Sequence, residues 1–463
     1  MVKDNINEIE NATDNKKQRR RDFIRQTLLP LIIIIVNFSI AMAVLWWSGD
    51  WGKRFYSDNY LFRDGRMPVK QEDGKWQVID DNGAVKGTDY TDIRPFSNRC
   101  AAVKDDNGKW GYVDVKSNLI IECIYDYAGD FSQSGLAAVK LDNDYFYINK
   151  KGEKQFDKTF IDAQNFDTSS IAKVTTDKGV GLLNIHGEYV LQPGVYDELG
   201  NVAMENGYVA VKNDDGKWGY VDSLGNVVVE CKYKSAKTFF RKNAMVTNED
   251  DLYGFVNEQG EEIVPCKYLD ARNFSIALYA AVKDQNGKWG YVNKDGVQTV
   301  NCEYADCLDF SNDESAAVEN DEGKWGYIKN NGKFIIDCQY AKASKFSGNN
   351  MAAVQKENGK WIYINRSGSQ VIGEEFDYAD SFTDVKIAIV GKYTDGKLSY
   401  AIIDEKGKYL VEYGVYDMLV AYDSGEIYGY SKDGKYTLLG TEGTVIAEDI
   451  IGFKPAGDVV VRR

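Results

Sequence analysis

The feature that most restricts what this chain can fold into is a phrase that it repeats about every 36 residues. Gly287-Lys288-Trp289-Gly290-Tyr291-Val292 returns 36 residues later as Gly323-Lys324-Trp325-Gly326-Tyr327-Ile328. The landmarks between the two copies, Gly296, Cys302, Tyr304, Phe310 and Ala316-Ala317-Val318, return as Gly332, Cys338, Tyr340, Phe346 and Ala352-Ala353-Val354. A period of this size marks a repeat architecture, in which one unit cannot bury its own apolar face and stability comes from stacking on its neighbours. Aligned on the Trp position, the copies start at Trp76, Trp110, Tyr145, Val180, Trp218, Tyr253, Trp289, Trp325, Trp361, Tyr400 and Tyr436.

Two turns recur in each copy. Asp or Asn stands four positions after the start in most copies and Gly seven positions after it, as in Asn293 and Gly296, which is the pattern of a type I turn closed by a left-handed residue. Asn-Gly or Asp-Gly pairs such as Asn107-Gly108 and Asn286-Gly287 precede the Trp strand and signal a hairpin. Each repeat therefore reads as a three-stranded meander: an Ala-Ala-Val strand, a Trp-Gly-Tyr-Val-Asp strand and a short apolar strand such as Val227-Val228-Val229. Strand alternation puts Trp289 and Tyr291 on one face and Gly290 and Val292 on the other, and the in-strand Gly implies close approach by a neighbouring repeat. With 43 Gly and 31 Tyr against 6 Pro and one His, composition agrees with an all-β array.

The fold class expected is all-β, a tandem array of about eleven meanders. An open curved solenoid is the primary reading and a β-propeller-like ring the alternative. Eleven copies exceed the roughly four to eight blades of ordinary propellers. The chain also begins and ends on the same strand type, Met67-Pro68-Val69 and Val459-Val460-Val461, with the last segment read as a cap.

Ahead of the array, residues 1–27 carry seven Lys/Arg and five Asp/Glu, ending in Lys16-Lys17-Gln18-Arg19-Arg20-Arg21 and Arg25. Residues 28–47 hold no charge and are long enough to cross roughly 30 Å of hydrocarbon as a helix. Trp46, Trp47 and Trp51 form an aromatic belt, and the basic cluster places the N-terminus in the cytoplasm. The expected organisation is a cytoplasmic basic tail (1–27), a transmembrane helix (28–47), a juxtamembrane linker (48–60) and an extracytoplasmic array (61–463) at the cell membrane. A cleaved signal peptide at Ala41-Met42-Ala43 is the competing reading, opposed by the continuing apolar run Val44-Leu45-Trp46-Trp47.

The whole chain carries a net charge of −15, and removing the +2 of the tail leaves −17 on the rest, which argues against nucleic acid as a partner. Five of the seven cysteines, Cys123, Cys231, Cys266, Cys302 and Cys338, share one repeat position without any CxxC pair, as small buried hydrophobes do. His186 is the single histidine and sits in a turn; paired carboxylates such as Asp105-Asp106 and Asp214-Asp215 fall in hairpin turns; and no phosphate-binding glycine loop opens a helix. Asp142-Asn143-Asp144 lacks the Gly and distal Glu of a calcium loop. No catalytic, cofactor-binding or metal-ligating residues are assigned.

The recurring G-K-W-G-Y-V-D, with Trp-Gly at Trp110-Gly111, Trp218-Gly219, Trp289-Gly290 and Trp325-Gly326, resembles the WG-repeat family over about 400 residues. That resemblance implies a mostly bacterial, β-rich binding or scaffold array without shared catalytic residues. The expectation is a non-catalytic, membrane-anchored scaffold with a protein or glycan ligand. A cell-envelope glycosidase using two carboxylates and a purely structural spacer are the alternatives. In the third and fourth copies Tyr145-Phe146-Tyr147 and Val180-Gly181-Leu182 replace the core phrase. Relaxation of the repeat rule there singles out Tyr145 and Tyr147 as ligand-contacting aromatics, with Asp142 and Asp144 at the rim, suited to sugars or cationic peptides.

Overall fold

The computed structural model describes residues 62–202, 207–421, 427–431 and 433–453. The expected tail, span and linker, and the closing segment at 459–461, lie outside these residues. Every regular element described is a strand, and the strands form eleven small antiparallel sheets in chain order.

Nine of the eleven sheets contain four strands, one more than the expected meander. In the eighth, the order is Asp306–Cys307, Ser315–Glu319, Trp325–Lys329, Phe334–Tyr340. The added first strand is two residues of the connection, Asp306 and Cys307, pairing with Glu319 and Val318. Of the four, the last is the most exposed, with Phe334, Asp337 and Gln339 open to solvent.

The array is closed, and this overturns the open solenoid. The first sheet is built from Arg66–Lys70, Trp76–Asp80 and Val85–Tyr90, and its remaining strand is Gly452–Phe453 from the other end of the chain. Val69 pairs with Phe453, Lys70 pairs with Gly452, and the Ile451 N–H donates to the Lys70 carbonyl at 2.9 Å. The complement that seemed missing from the termini is the connection strand of the last repeat, which is too short to announce itself in sequence. The molecule is a β-propeller-like ring of eleven blades, numbered here from the one that contains Trp76.

Neighbouring blades share a core. Tyr291, Val300 and Tyr304 of blade 7 pack with Cys307, Phe310, Ala316, Val318 and Ile328 of blade 8. The seam repeats this arrangement: Phe62, Met67, Val69 and Ile79 pack with Val420, Leu438 and Ile450 of blade 11. The Tyr of the Trp-Gly-Tyr strand is fully buried, and its hydroxyl donates to a carbonyl of the next blade. Tyr291 reaches Leu308 O at 2.6 Å, Tyr327 reaches Ser344 O at 2.8 Å, and Tyr363 reaches Asp380 O at 2.7 Å. The same rings lie against the next blade's Phe, with centroids 4.5 Å apart for Tyr291 and Phe310 and 4.6 Å for Tyr327 and Phe346.

The Trp does a different job. At Trp76, Trp110, Trp218 and Trp289 its cross-strand partner in the hairpin is a Lys whose Nζ sits over the indole, as Lys283 does over Trp289 at 5.6 Å and Lys104 over Trp110 at 5.8 Å, whereas Trp325 faces Glu319 and Trp361 faces Gln355. Trp289 is buried, while Trp110, Trp218, Trp325 and Trp361 are half-buried lids at the blade margin.

The in-strand Gly is required by a close approach, but from within its own repeat. Between Trp289 and Tyr291 the register shifts so that Trp289 faces Tyr304 and Tyr291 faces Val300. The bulge bends the fourth strand over Gly290, where a Cβ would meet Val300 O at 2.6 Å.

Copies without this Gly obey the same steric rule. Blades 1 and 11 carry Gln77 and Thr437, and their fourth strands have one residue fewer in the bulge: Trp76 faces Tyr90 and Val78 faces Gly87; Tyr436 faces Ile450 and Leu438 faces Ala447. Blades 3 and 9 carry Phe146 and Ile362 with the full-length connection, and there the fourth strand gives way to isolated bridges, Tyr145 to Phe160 and Trp361 to Phe376 among them.

Candidate functional site

Antiparallel order divides the loops between two rims. Turns joining second to third strands lie on one rim. Those joining first to second and third to fourth strands lie on the other.

On the first rim, a Lys just before the Trp position forms an ion pair with an acid in the next blade's turn. The pairs are Lys75–Asp106, Lys217–Glu249, Lys288–Asp321 and Lys324–Glu357, and Lys435–Glu72 carries the pattern across the seam. In blade 3 the Lys position holds Asp144, a reversal of charge. Asp142 and Asp144 are both exposed beside the two-residue turn of this hairpin, and neither forms an ion pair among the described residues. Tyr145 is half-buried between the Tyr127 ring, 5.6 Å away, and Lys140 Nζ at 5.3 Å. Ile161, 60% exposed, follows the bridge partner of Tyr145.

Tyr147 does not join this surface. It is 1% exposed, packs with Phe160 and Phe166, and donates to Gln164 O at 2.6 Å, the latch made by every intact copy. Burial pushes its phenol pKa well up. The physical reason is alternation: residues two apart share a face, but only the one nearer the blade centre is covered by the next sheet. The expected pair of exposed aromatics is therefore reduced to Tyr145.

Sequence reasoning missed a second irregularity, in blade 10. Its central hairpin, Ile387–Thr394 with Lys397–Asp404, is eight residues a side and turns through Asp395 and Gly396, both at positive φ. The Lys-Trp phrase is absent from this copy, and Asp395-Gly396 between Tyr393 and Leu398 was the available signal. Tyr393 stands 62% exposed near the tip. Near the same end, Lys392 pairs with Glu374, Lys397 beside the turn pairs with Asp417 at 2.9 Å, and Tyr409 donates to Glu374 at 2.7 Å. Partial burial works against ionisation of Glu374, but the hydrogen bonds from Lys392 and Tyr409 outweigh it and hold the pKa below the usual range.

The repeated cysteines are half-buried thiols, and those of Cys123, Cys231, Cys302 and Cys338 point at a carbonyl of the second strand, as Cys302 Sγ does toward Val282 O at 3.7 Å. Burial raises Cys123 and Cys266 to about 11, which leaves little thiolate at neutral pH. His186 lies in its turn with its N–H donating to Asn184 Oδ1 at 3.0 Å. Among the described residues no group of His, Cys, Asp and Glu is arranged to hold a metal ion, and no helix is long and apolar enough to cross a membrane.

These features define a class, the closed ring of stacked three- and four-stranded antiparallel blades. Within it the chain carries WG containing repeats: six segments, residues 110–145, 181–218, 218–250, 253–289, 289–324 and 325–361, match that family. Similar solved structures include a eukaryotic initiation factor, at 11% identity and a TM-score of 0.35 over 75% of this chain and 94% of that one. Another is BamB from Moraxella catarrhalis, at 13% identity and a TM-score of 0.30 over 59% of this chain and 91% of that one. Likeness at this level carries no argument about function. No curated protein matches.

Proposed function

We propose that this protein is a non-catalytic binding scaffold held at the cell membrane by residues 28–47, with its ring on the extracytoplasmic side. The observation that carries the scaffold reading is the division of labour within each repeat. The recurring Tyr, Phe and Lys are consumed by blade-to-blade contacts and the in-strand Gly by the bulge of its own blade, so rim loops differ between copies without cost to the ring. The anchoring is supported by the uncharged 28–47 run and the basic cluster before it.

Within this reading blade 3 is the candidate ligand contact. The pairing Lys is also missing from blades 4, 6 and 10, where Gly179, Leu252 and Ser399 stand, but in blade 3 its charge is reversed by Asp144, and Asp142, Asp144, Tyr145 and Ile161 offer carboxylates beside an aromatic and an aliphatic surface. That chemistry suits a cationic peptide. The test titrates an oligo-lysine peptide against the full chain in detergent, comparing Asp144→Lys and Tyr145→Ala with the matched Tyr253→Ala. Binding lost at blade 3 with melting unchanged supports the site. Equal loss at Tyr253, or no binding by the parent, removes it.

A further inference from the structure

On the second rim, blades 1 to 3 gather cations in a chain that is acidic as a whole. The loops 63–66 and 97–99 and the turns 114–118 and 149–153 hold Arg63, Arg66, Arg99, Lys116, Lys150 and Lys151. Two carboxylates of this rim are paired, Asp80 with Lys86 at 2.9 Å and Asp130 with Arg94 at 4.0 Å. Against the six cations stand four others, Asp64, Asp81, Asp114 and Glu153, which leaves this sector at +2 in a chain of −15.

Direct contacts tie the loops into one surface. Arg66 Nε donates to Val115 O at 2.7 Å, Lys150 Nζ donates to Asn98 O at 2.6 Å, and the Arg99 N–H donates to Asp64 Oδ2 at 2.6 Å. The carboxylates are turned to local tasks. Asp114 Oδ1 accepts the Lys116 and Asn118 N–H groups at 2.8 and 2.9 Å, and Glu153 Oε2 accepts from Asn149 Nδ2 at 2.7 Å. Among the described residues none of the six cations forms an ion pair, whereas the opposite rim neutralises lysines blade after blade.

We infer that this sector is a docking surface for the anionic phosphate headgroups of the membrane that carries the ring. The inference rests on the anchored reading above. Charge complementarity selects an anion, since unpaired Lys and Arg near a bilayer are drawn to acidic lipids within about a Debye length. The chain selects the source. The uncharged run ends at Trp47 and blade 1 begins near residue 61, so the 13 residues between them reach at most about 45 Å. Such a tether keeps headgroups at high effective concentration around blades 1 to 3 and favours them over a soluble polyanion.

The experiment reconstitutes the full chain into vesicles of phosphatidylcholine alone or mixed with phosphatidylglycerol. Flotation is followed, and lysines are labelled with a membrane-impermeant amine reagent. In the anionic vesicles Lys116, Lys150 and Lys151 should label at least about fivefold more slowly, the weight of roughly one cation held at such a surface. Lys333 on the same rim should be unchanged. Lys116→Glu with Lys151→Glu, or added salt, should abolish the difference while flotation persists. Equal labelling in both vesicles, or equal protection by soluble polyphosphate without anionic lipid, overturns the assignment. Failure to float with neutral vesicles counts against the anchor alone, because a ring that floats only with anionic vesicles keeps the patch.

Discussion

At the scale of single residues, the repeated phrase separates into side chains with different work. Trp and Tyr alternate onto one face, and both read as core in the sequence. In the ring Tyr291 is wholly buried and latched to Leu308, while its neighbour Trp289 is roofed by Lys283 and Arg272 at 5.6 and 4.7 Å. The difference is one of depth along the strand, which alternation cannot express. Tyr291→Phe keeps the ring packing against Phe310 but leaves the Leu308 carbonyl without its donor. We expect a loss of about 1–3 kcal/mol, the penalty for an unsatisfied buried polar group, read as a lower urea midpoint at unchanged m-value. A variant as stable as the parent would show that water replaces the hydroxyl. At blade 3 the same depth effect removed Tyr147 from the candidate surface and left Tyr145, Asp142 and Asp144 in place.

Among elements, the fourth strand is the part of a blade most sensitive to sequence. It makes its longer bulge over the third strand where that strand offers no side chain, as at Gly111, Gly219, Gly254, Gly290 and Gly326. Gln77 and Thr437 are accommodated by a shorter bulge, and Phe146 and Ile362 by loss of the strand. Gly219→Phe should therefore turn blade 5 into a blade like the third, with Val227–Tyr233 released from pairing while Val209–Lys212 and Trp218–Val221 stay protected. Amide hydrogen exchange on these three strands decides it. Protection of Val227–Tyr233 equal to the parent's would show that the Gly is dispensable to the bulge. The long hairpin of blade 10 follows a second local rule, in which Asp395 and Gly396 allow a tight turn and added rungs where other copies use a wider loop.

For the whole molecule, closure rests on a small seam. Two residues complete the first sheet, Lys435–Glu72 bridges the first rim, and one mixed core joins blades 1 and 11. Ending the chain at residue 451 removes the Gly452–Phe453 strand and leaves the Met67 and Val69 strand as an unpaired edge. Small-angle scattering should then show a larger radius of gyration, with melting that begins in blades 1 and 11 and spreads to neighbours, as in a one-dimensional stack with free ends. An unchanged scattering profile would mean that the seam core alone holds the ring shut. A closed ring also explains how eleven copies of differing quality survive together, because each degenerate blade is flanked on both sides.

Much of this was written in the order of residues. The 36-residue period, the turn glycines and the alternating aromatics determined by themselves that the chain is an all-β repeat and where its strands and turns fall, because turn chemistry and strand alternation act over a few residues. Asp144 in place of Lys, and the missing Gly at Phe146 and Ile362, were equally legible as departures from the rule. Only the tertiary structure decided that the array closes, that the connection adds a short strand to each blade, that Tyr147 is interior and that six cations gather on one rim. Those outcomes depend on residues far apart in the chain, such as Val69 and Phe453 or Lys150 and Asn98, brought together by the summed rotation of eleven stacked sheets. No local pattern encodes that sum.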